Sequence, residues 1–291
     1  MWFIFTVALY FSLTPVKACE QFEFSTIEVL QRFLWKRTTL PITTNVAMDE
    51  GWQSVGRDST YNLEIYRYTN VNNFFILFYG NKLVGVGLVH AADSDPSFFS
   101  WSSTFGNGYM FKHTVTVDQK NIGYAMVLFV NPDELKQEAT PICFTKFIHF
   151  EGTKNGDWHK VSIFENGIQN VEPRMKKQGC KNRFGHYYFY SLEDKTTCSR
   201  VHGFYCFYGD NGEMNGFGVF TEGMSVLNEP NDHPHPVIVF WPCADVKEIV
   251  THNAKCMDKK ASEGYVTTVI YLKEDEETVK FKCNKQVAHS P

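Results

Sequence analysis

Several signals that would quickly assign a chain are missing from this one. No Asn-x-Ser/Thr triplet with a non-proline centre occurs despite abundant Asn, so N-glycosylation is not expected and the bare surface must supply solubility. After the leading segment, no apolar run reaches the roughly 20 residues a membrane-spanning helix needs, and no membrane span is expected. No basic stripe stands out, because 28 Lys and Arg are interspersed with 32 Asp and Glu for a net charge of −4. The densest basic stretch, Arg174-Met175-Lys176-Lys177 with Lys181 and Arg183, reads as a solvated linker, and no nucleic-acid partner is expected. CxxC is absent, which removes zinc-ribbon and thioredoxin-type chemistry. Gly-x-Ser-x-Gly, His-Glu-x-x-His and the phosphate-binding Gly-x-x-x-x-Gly-Lys-Ser/Thr loop are absent too. Their absence removes the common hydrolase, metalloprotease and nucleotide sites, and no cofactor is expected.

What the chain does hold starts at its amino terminus. Residues 3–14 (FIFTVALYFSLT) are apolar but too short to span a bilayer, and Val16-x-Ala18 fits the small-residue pattern before a signal-peptidase cut. Residues 1–18 therefore read as a signal peptide, and the mature chain as secreted and extracellular. That context suits the 8 cysteines Cys19, Cys143, Cys180, Cys198, Cys206, Cys243, Cys256 and Cys283, an even set expected to pair as disulfides of undetermined connectivity. Most lie from Cys180 onward, so the carboxy-terminal half is the more heavily braced.

Internal similarity carries the most information about the fold. Phe74-Phe75-Ile76-Leu77-Phe78-Tyr79-Gly80 is echoed by Gly203-Phe204-Tyr205-Cys206-Phe207-Tyr208-Gly209. Gly85-Val86-Gly87 is echoed by Gly216-Phe217-Gly218, and Gly123-Tyr124 by Gly264-Tyr265, each opening or lying in an apolar run. The order is the same both times. Each echo describes a hairpin, in which an aromatic strand reverses at a polar turn such as Asp210-Asn211-Gly212 and returns as a Gly-x-Gly strand. Further strand signals cover Asn62 to Thr69, Phe111 to Val117, Ile142 to Phe150, Gly185 to Tyr190, Val237 to Trp241 and Thr278 to Cys283. Helix signals are few: Ser25/Thr26 before Ile27, Leu30 and Leu34; Asn131-Pro132-Asp133-Glu134; and Asp245 before Val246, Ile249 and Val250. The fold expected is all-β, mainly antiparallel, with a few short helices. Its two related halves are barrel- or sandwich-like and arise from an internal duplication. The boundaries read as 19–150 for the first repeat, 151–157 for a connector and 158–291 for the disulfide-rich second repeat. One larger sheet pair, to which each repeat contributes half, is the alternative.

Candidate sites follow from the same elements. Aromatics make up 16% of residues. Rings of the echoed hairpins, Phe75, Phe78, Tyr79, Phe204, Phe207 and Tyr208, are candidates to line a ligand cavity, although such rings more often fill a core. His113 and His186 lie on strand signals and are the candidate catalytic residues. His149 lies on another strand signal. In His233-Pro234-His235-Pro236 the two histidines are metal candidates, set against a reading as a rigid strand entry. Glu274-Asp275-Glu276-Glu277 reads as a solvated turn.

The secretory start, short leading helix, antiparallel hairpins and cysteine bracing together resemble lipocalins and their calycin relatives in organisation. The Gly-x-Trp signature that the family carries on its first strand is not evident there; Gly51-Trp52, with the wrong spacing, and Leu34-Trp35-Lys36-Arg37 are the nearest stretches. The resemblance implies a secreted β-barrel that binds a small molecule, and no binding residue is transferred from it. The leading expectation is a secreted binding protein for a small apolar or aromatic ligand in a barrel-type cavity. The alternatives are a cofactor-independent, luciferase-like oxygenase acting on an aromatic small molecule, and an extracellular interaction or toxin-like protein.

Overall fold

The computed structural model describes residues 27–30, 37–68, 74–89, 113–137, 142–152, 156–193, 203–222, 238–241, 249–251, 265–273 and 281–283. The chain opens with the paired strands β1 (Glu28–Leu30) and β2 (Arg37–Thr39), followed by helix α1 (Thr44–Asp49). Six strands come next: β3 (Trp52–Asp58), β4 (Leu63–Tyr68), β5 (Phe74–Tyr79), β6 (Lys82–Val89), β7 (His113–Val117) and β8 (Lys120–Val130). After the short helix α2 (Pro132–Leu135) the pattern recurs with the pair β9 (Phe144–Glu151) and β10 (Trp158–Ser162), then helix α3 (Ile168–Val171). A second run of six follows: β11 (Met175–Lys181), β12 (Gly185–Tyr190), β13 (Phe204–Tyr208), β14 (Met214–Glu222), β15 (Ile238–Trp241) and β16 (Tyr265–Tyr271).

The strands form two antiparallel sheets. The first runs β10-β9-β8-β6-β5-β4-β3 with β7 on β8, and the second runs β11-β12-β13-β14-β16-β1-β2 with β15 on β16. Each run of six strands thus builds the body of one sheet, in the same order. The leading pair of each run joins the other sheet, β1 against β16 and β9 against β8. The irregularities coincide as well. Bulges fall between Leu77 and Phe78 in one sheet and between Phe207 and Tyr208 in the other. A second matched pair falls after Ser54 and after Lys177.

Pairing fixes which positions correspond. Leu77 faces Gly85 and Phe207 faces Gly216, so Leu77 matches Phe207, one residue out of step with the Tyr-Gly echo. The last echo is also out of step: Tyr124 pairs with Val89, whereas Tyr265 pairs with Glu222. The glycines serve ring packing. A Cβ on Gly218 would sit 2.3 Å from Tyr205 Oη and 2.4 Å from the Thr268 carbonyl. The aromatic side chain across the ladder occupies the space a larger residue would need.

The sheets face each other across a continuous apolar layer. Phe74, Ile76, Phe78, Val127, Ile148 and Phe150 of the first sheet pack there against Phe204, Cys206, Tyr208, Phe217 and Ile270 of the second. At the centre the Phe150 and Phe204 rings stack with centroids 3.9 Å apart. Neither sheet closes on itself, so the barrels entertained from sequence do not form and the architecture is one sandwich. The first sheet comes nearest to closing. Its outer face carries a second core (Leu63, Ile65, Phe75, Leu77, Val115, Tyr124, Met126 and Leu128 among others), and β7 folds over β3 to cover it. The β3–β7 contact is made by side chains without a backbone ladder, which is why the edge stays open.

Local outcomes mostly follow sequence chemistry. Asn131 caps α2, its Oδ1 accepting from the Asp133 amide at 3.1 Å, with Pro132 in the first turn. The helix read from Ile27 and Leu30 is instead strand β1, held by β16 and β2. Phe281 to Cys283 is not strand. The Asp245 helix signal falls largely outside the described residues, as does Glu274–Glu277. Cys180 and Cys283 form a disulfide, and Cys143 is disulfide-bonded. Cys206 departs from the expected pairing. It is a free thiol in the middle of β13, wholly buried against the facing sheet with Tyr208 Oη 3.8 Å from its sulfur. Cys19, Cys198, Cys243 and Cys256 lie outside the described residues. No described helix is long and apolar enough to cross a membrane.

Candidate functional site

The polar chemistry of the described residues concentrates on the outer face of the first sheet, where β3, β7, β9 and β10 converge. Alternation along β9 puts Ile148 and Phe150 into the sandwich core and turns His149 and Glu151 outward. Glu151 ends β9, Asp58 ends β3 and His113 begins β7. The three meet as one cluster: His113 Nδ1 lies 2.9 Å from Asp58 Oδ2, and His113 Nε2 lies 2.9 Å from Glu151 Oε2. Their side chains are only 10%, 8% and 4% exposed. Asp58 also accepts from the amides of Thr60 (2.9 Å) and Tyr61 (3.0 Å) and from the Tyr124 hydroxyl (3.3 Å).

These distances set the protonation states. Burial pulls the His113 imidazolium down, but the bonds and charges of Asp58 and Glu151 outweigh it and lift the pKa to about 9. For Asp58, burial pushes up, yet the hydrogen bond and charge of His113 win and hold it below its ordinary value. Burial, aided by Asp58, pushes the Tyr124 phenol well up. At neutral pH the cluster is an imidazolium between two carboxylates, donating through both nitrogens. A ring in that state has no nitrogen free to take a proton, so His113 acts as a clamp joining β7 to β3 and β9, not as a general base.

Beside the clamp, Trp158 of β10 donates from Nε1 to Tyr61 Oη at 2.7 Å, with the two rings edge to face at 5.6 Å. Trp158 also lines a cleft of about 660 Å³ bounded by α2 and the outer faces of β9 and β10. Phe147 supplies a second aromatic wall, and Asp133, Glu134, His149 and Lys160 supply polar groups. His149 is 6% exposed; its Nδ1 is shut off from water and has no hydrogen-bond partner. Burial, reinforced by the Lys160 ammonium, pushes its pKa down to about 4. The Asp133 charge and a hydrogen bond with the Leu128 backbone pull the other way and are outweighed. Glu134 Oε2 is likewise buried without a partner. On the far rim, Arg174 donates to Glu172 through Nε (2.8 Å) and Nη2 (2.9 Å), and to His159 Nδ1 (2.7 Å). Burial and that guanidinium hold His159 below its usual pKa.

The candidates read from sequence are dispersed. His113 is in the clamp. His186 lies half-buried on β12, edge-on to Phe281 at 5.8 Å, with burial and Lys177 lowering its pKa. Phe78, Phe204 and Tyr208 are fully buried between the sheets, Phe75 is buried in the second core, Phe207 is buried against Phe184, Tyr187 and Tyr271 on the other face of the second sheet, and Tyr79 is half-buried at the end of β5. None of the six lines the cleft. His233 and His235 lie outside the described residues, and no group of three or more His, Cys, Asp or Glu side chains placed to hold a metal ion is found among those described. None of Asp58, Glu134 and Glu151 was read from sequence as a site residue; Glu134 stood only in the α2 cap signal and Glu151 at the start of the expected connector, whereas it ends β9. The alternation of β9 and the Asn131-Pro132 cap were the signals that could have placed Glu151 and Glu134.

No protein-family model, curated protein or solved structure matches this chain. The site must therefore be read from its own geometry.

Proposed function

We propose that this chain is a secreted binding protein for a small ligand with an aromatic or apolar body, seated in the cleft between α2 and the β9–β10 pair. The observation that carries the reading is a cleft of ligand size, walled by the rings of Trp158 and Phe147 and lined by the polar side chains of Asp133, Glu134 and Lys160. A volume of about 660 Å³ fits a small molecule, since such sites run roughly 300–1,000 Å³. Trp158 is held by Tyr61, next to the ring of His113, so one wall is fixed before a ligand arrives. The engagement of both His113 nitrogens favours binding over proton-transfer catalysis. The Cys180–Cys283 disulfide, spanning 103 residues, and the leader-like residues 1–18 support secretion.

We also infer that the two runs of strands descend from one duplicated unit of paired strands, short helix and six further strands. The shared order and the shared bulges support this. In that alignment the positions of Trp158 and His149 fall to Arg37 and Glu28, which bridge at 3.7 Å while Arg37 covers the Tyr271 ring. Binding would then belong to one half only.

Titration of the mature protein with the environment-sensitive dye 8-anilinonaphthalene-1-sulfonate, or with neutral aromatic alcohols, tests the binding reading. Saturable binding that weakens at least about tenfold in Trp158→Ala is expected, because that substitution strips a wall of about 150–250 Å². Unsaturable binding, or equal affinity in the variant, removes the reading.

A further inference from the structure

We infer that His159 is a proton-operated latch on the seam between the two sheets: neutral, it holds Arg174 against Glu172, and protonated, it takes Glu172 for itself and expels Arg174. The latch is separate from the binding reading and stands or falls without it. His159 sits on β10, the edge strand of the first sheet. Glu172 ends α3, and Arg174 leads into β11, the edge strand of the second. The His159 ring packs between Phe150 of β9 and Tyr190 of β12, with centroids 5.5 and 5.2 Å away. A Cβ at Gly152 would collide with its Nε2, so glycine there makes room for the ring.

Donors and acceptors fix the resting state. A guanidinium only donates, so Arg174 Nη2 at 2.7 Å requires a bare Nδ1 on His159. The proton of the neutral ring is then on Nε2, which faces Asp157 Oδ2 at 3.3 Å. Glu172 Oε2 stands 3.2 Å from the same Nδ1, and Arg174 Nη2 donates to it at 2.9 Å. A proton on Nδ1 reverses these roles. The contact with Arg174 becomes donor against donor and cation against cation, whereas the contact with Glu172 becomes a charge-assisted bond. The two partners differ in freedom. The Glu172 side chain is 6% exposed and accepts from the Arg174 amide through Oε1 at 3.3 Å, whereas the Arg174 side chain is 49% exposed and has solvent to move into. Arg174 is therefore the part that moves, leaving the Tyr190 face it covers at 4.7 Å. The groups facing the ring are Asp157, Glu172, Arg174 and Tyr190, and β9 presents the apolar Phe150; burial keeps the Tyr190 phenol protonated throughout. Burial and Arg174 outweigh Asp157 and Glu172 and set the changeover below the ordinary histidine value. His159, Asp157 and Glu172 line the cleft, so the same event reshapes its far rim.

The test is a nitrogen-15 NMR titration of the full mature chain from pH 7.5 to 4, following the His159 ring nitrogens and the Arg174 Nε–H. At pH 7.5 the ring proton should reside on Nε2, with the Arg174 Nε–H protected from exchange with water. The ring midpoint should fall below 6.5, and the Arg174 protection factor should drop at least about tenfold at that same midpoint, as the loss of a charged hydrogen bond gives. A ring protonated on Nδ1 alone at pH 7.5, a midpoint at or above 6.5, or an Arg174 signal unmoved through the ring's titration overturns the latch. Arg174→Met keeps an apolar stem over Tyr190 and removes the charge. It should raise the His159 midpoint by about one pH unit or more, because Glu172 is then left to the ring alone. An unchanged midpoint in that variant overturns the exchange of Glu172 between partners. The wild-type titration decides the latch even where the variant does not fold.

Discussion

Raising the pH from 7 to 9.5 should destabilise this protein mainly through one residue, His113; the lowered pKa values of His149, His159 and His186 make stability rise with pH only up to their ordinary 6.5. Below its ordinary pKa of 6.5, His113 is charged in both folded and unfolded chains, and the clamp with Asp58 and Glu151 contributes in full. Between 6.5 and about 9 the unfolded chain gives up its proton while the folded chain keeps it, so unfolding releases a proton and stability falls as pH rises. Above about 9 the contribution is gone. A midpoint raised from 6.5 to about 9 corresponds to about 3 kcal/mol for this well-buried ring. For a chain of this size that is a drop in Tm on the order of 5–10 °C. Tyr61, Tyr124 and Cys206 are all pushed above their ordinary range by burial and stay protonated across the window. Urea melts at pH 6, 7, 8 and 9, paired with an NMR titration of the His113 ring protons, check the reasoning at both ends. A ring midpoint near 6.5, or stability flat from pH 7 to 9, would refute it. On the acid side the sign reverses for Asp58. Its lowered pKa contributes stability above the ordinary carboxylate range, and that stability is lost as pH falls through the folded value.

Two further perturbations probe the frame that carries the site. Gly218→Ala places a methyl 2.3 Å from Tyr205 Oη and 2.4 Å from a backbone oxygen, so a loss of about 1–3 kcal/mol is expected in a urea melt, and wild-type stability would contradict the ring-over-glycine packing. Replacing both Cys180 and Cys283 by Ala opens a loop of 103 residues, and a loss of about 2–5 kcal/mol should appear in the same assay under non-reducing conditions.

The elements legible in the sequence were short runs of aromatic and β-branched residues and one strong helix cap. β12 and β15 match Gly185–Tyr190 and Val237–Trp241 closely, and the Asn131-Pro132 cap marked α2 to the residue. β1 was lost because three residues carry no period of two, and the Ile27, Leu30, Leu34 spacing imitates a helix; what makes it a strand is pairing with β16 near the other end of the chain. The echo of β5 and β13 was visible, but not its register. Phe74 to Phe78 and Phe204 to Tyr208 are buried on both faces, so neither run alternates, and only the glycines opposite them reveal which positions match. The site itself was half legible. His113 could be marked as a polar residue on a strand, but Asp58 and Glu151 lie 55 and 38 positions away, and nothing local ties them to it.

That separation bears on how the site is assembled. Asp58 and His113 belong to the first run of six strands, whereas Glu151 and Trp158 sit on the β9–β10 pair that leads the second run and crosses to the first sheet. His149 and Lys160 cross with it. The clamp is therefore also the fastening of that pair, since Glu151 cannot satisfy His113 unless β9 is docked on β8. Without Glu151 the buried imidazolium would keep Asp58 but leave its Nε2–H unpaired, at a cost of about 1–3 kcal/mol. Docking of the crossed pair, closure of the clamp and formation of the cleft thus form one cooperative event. A substitution that loosens β9, such as Phe150→Ala under the Phe204 ring, should weaken the cleft without touching a single residue that lines it.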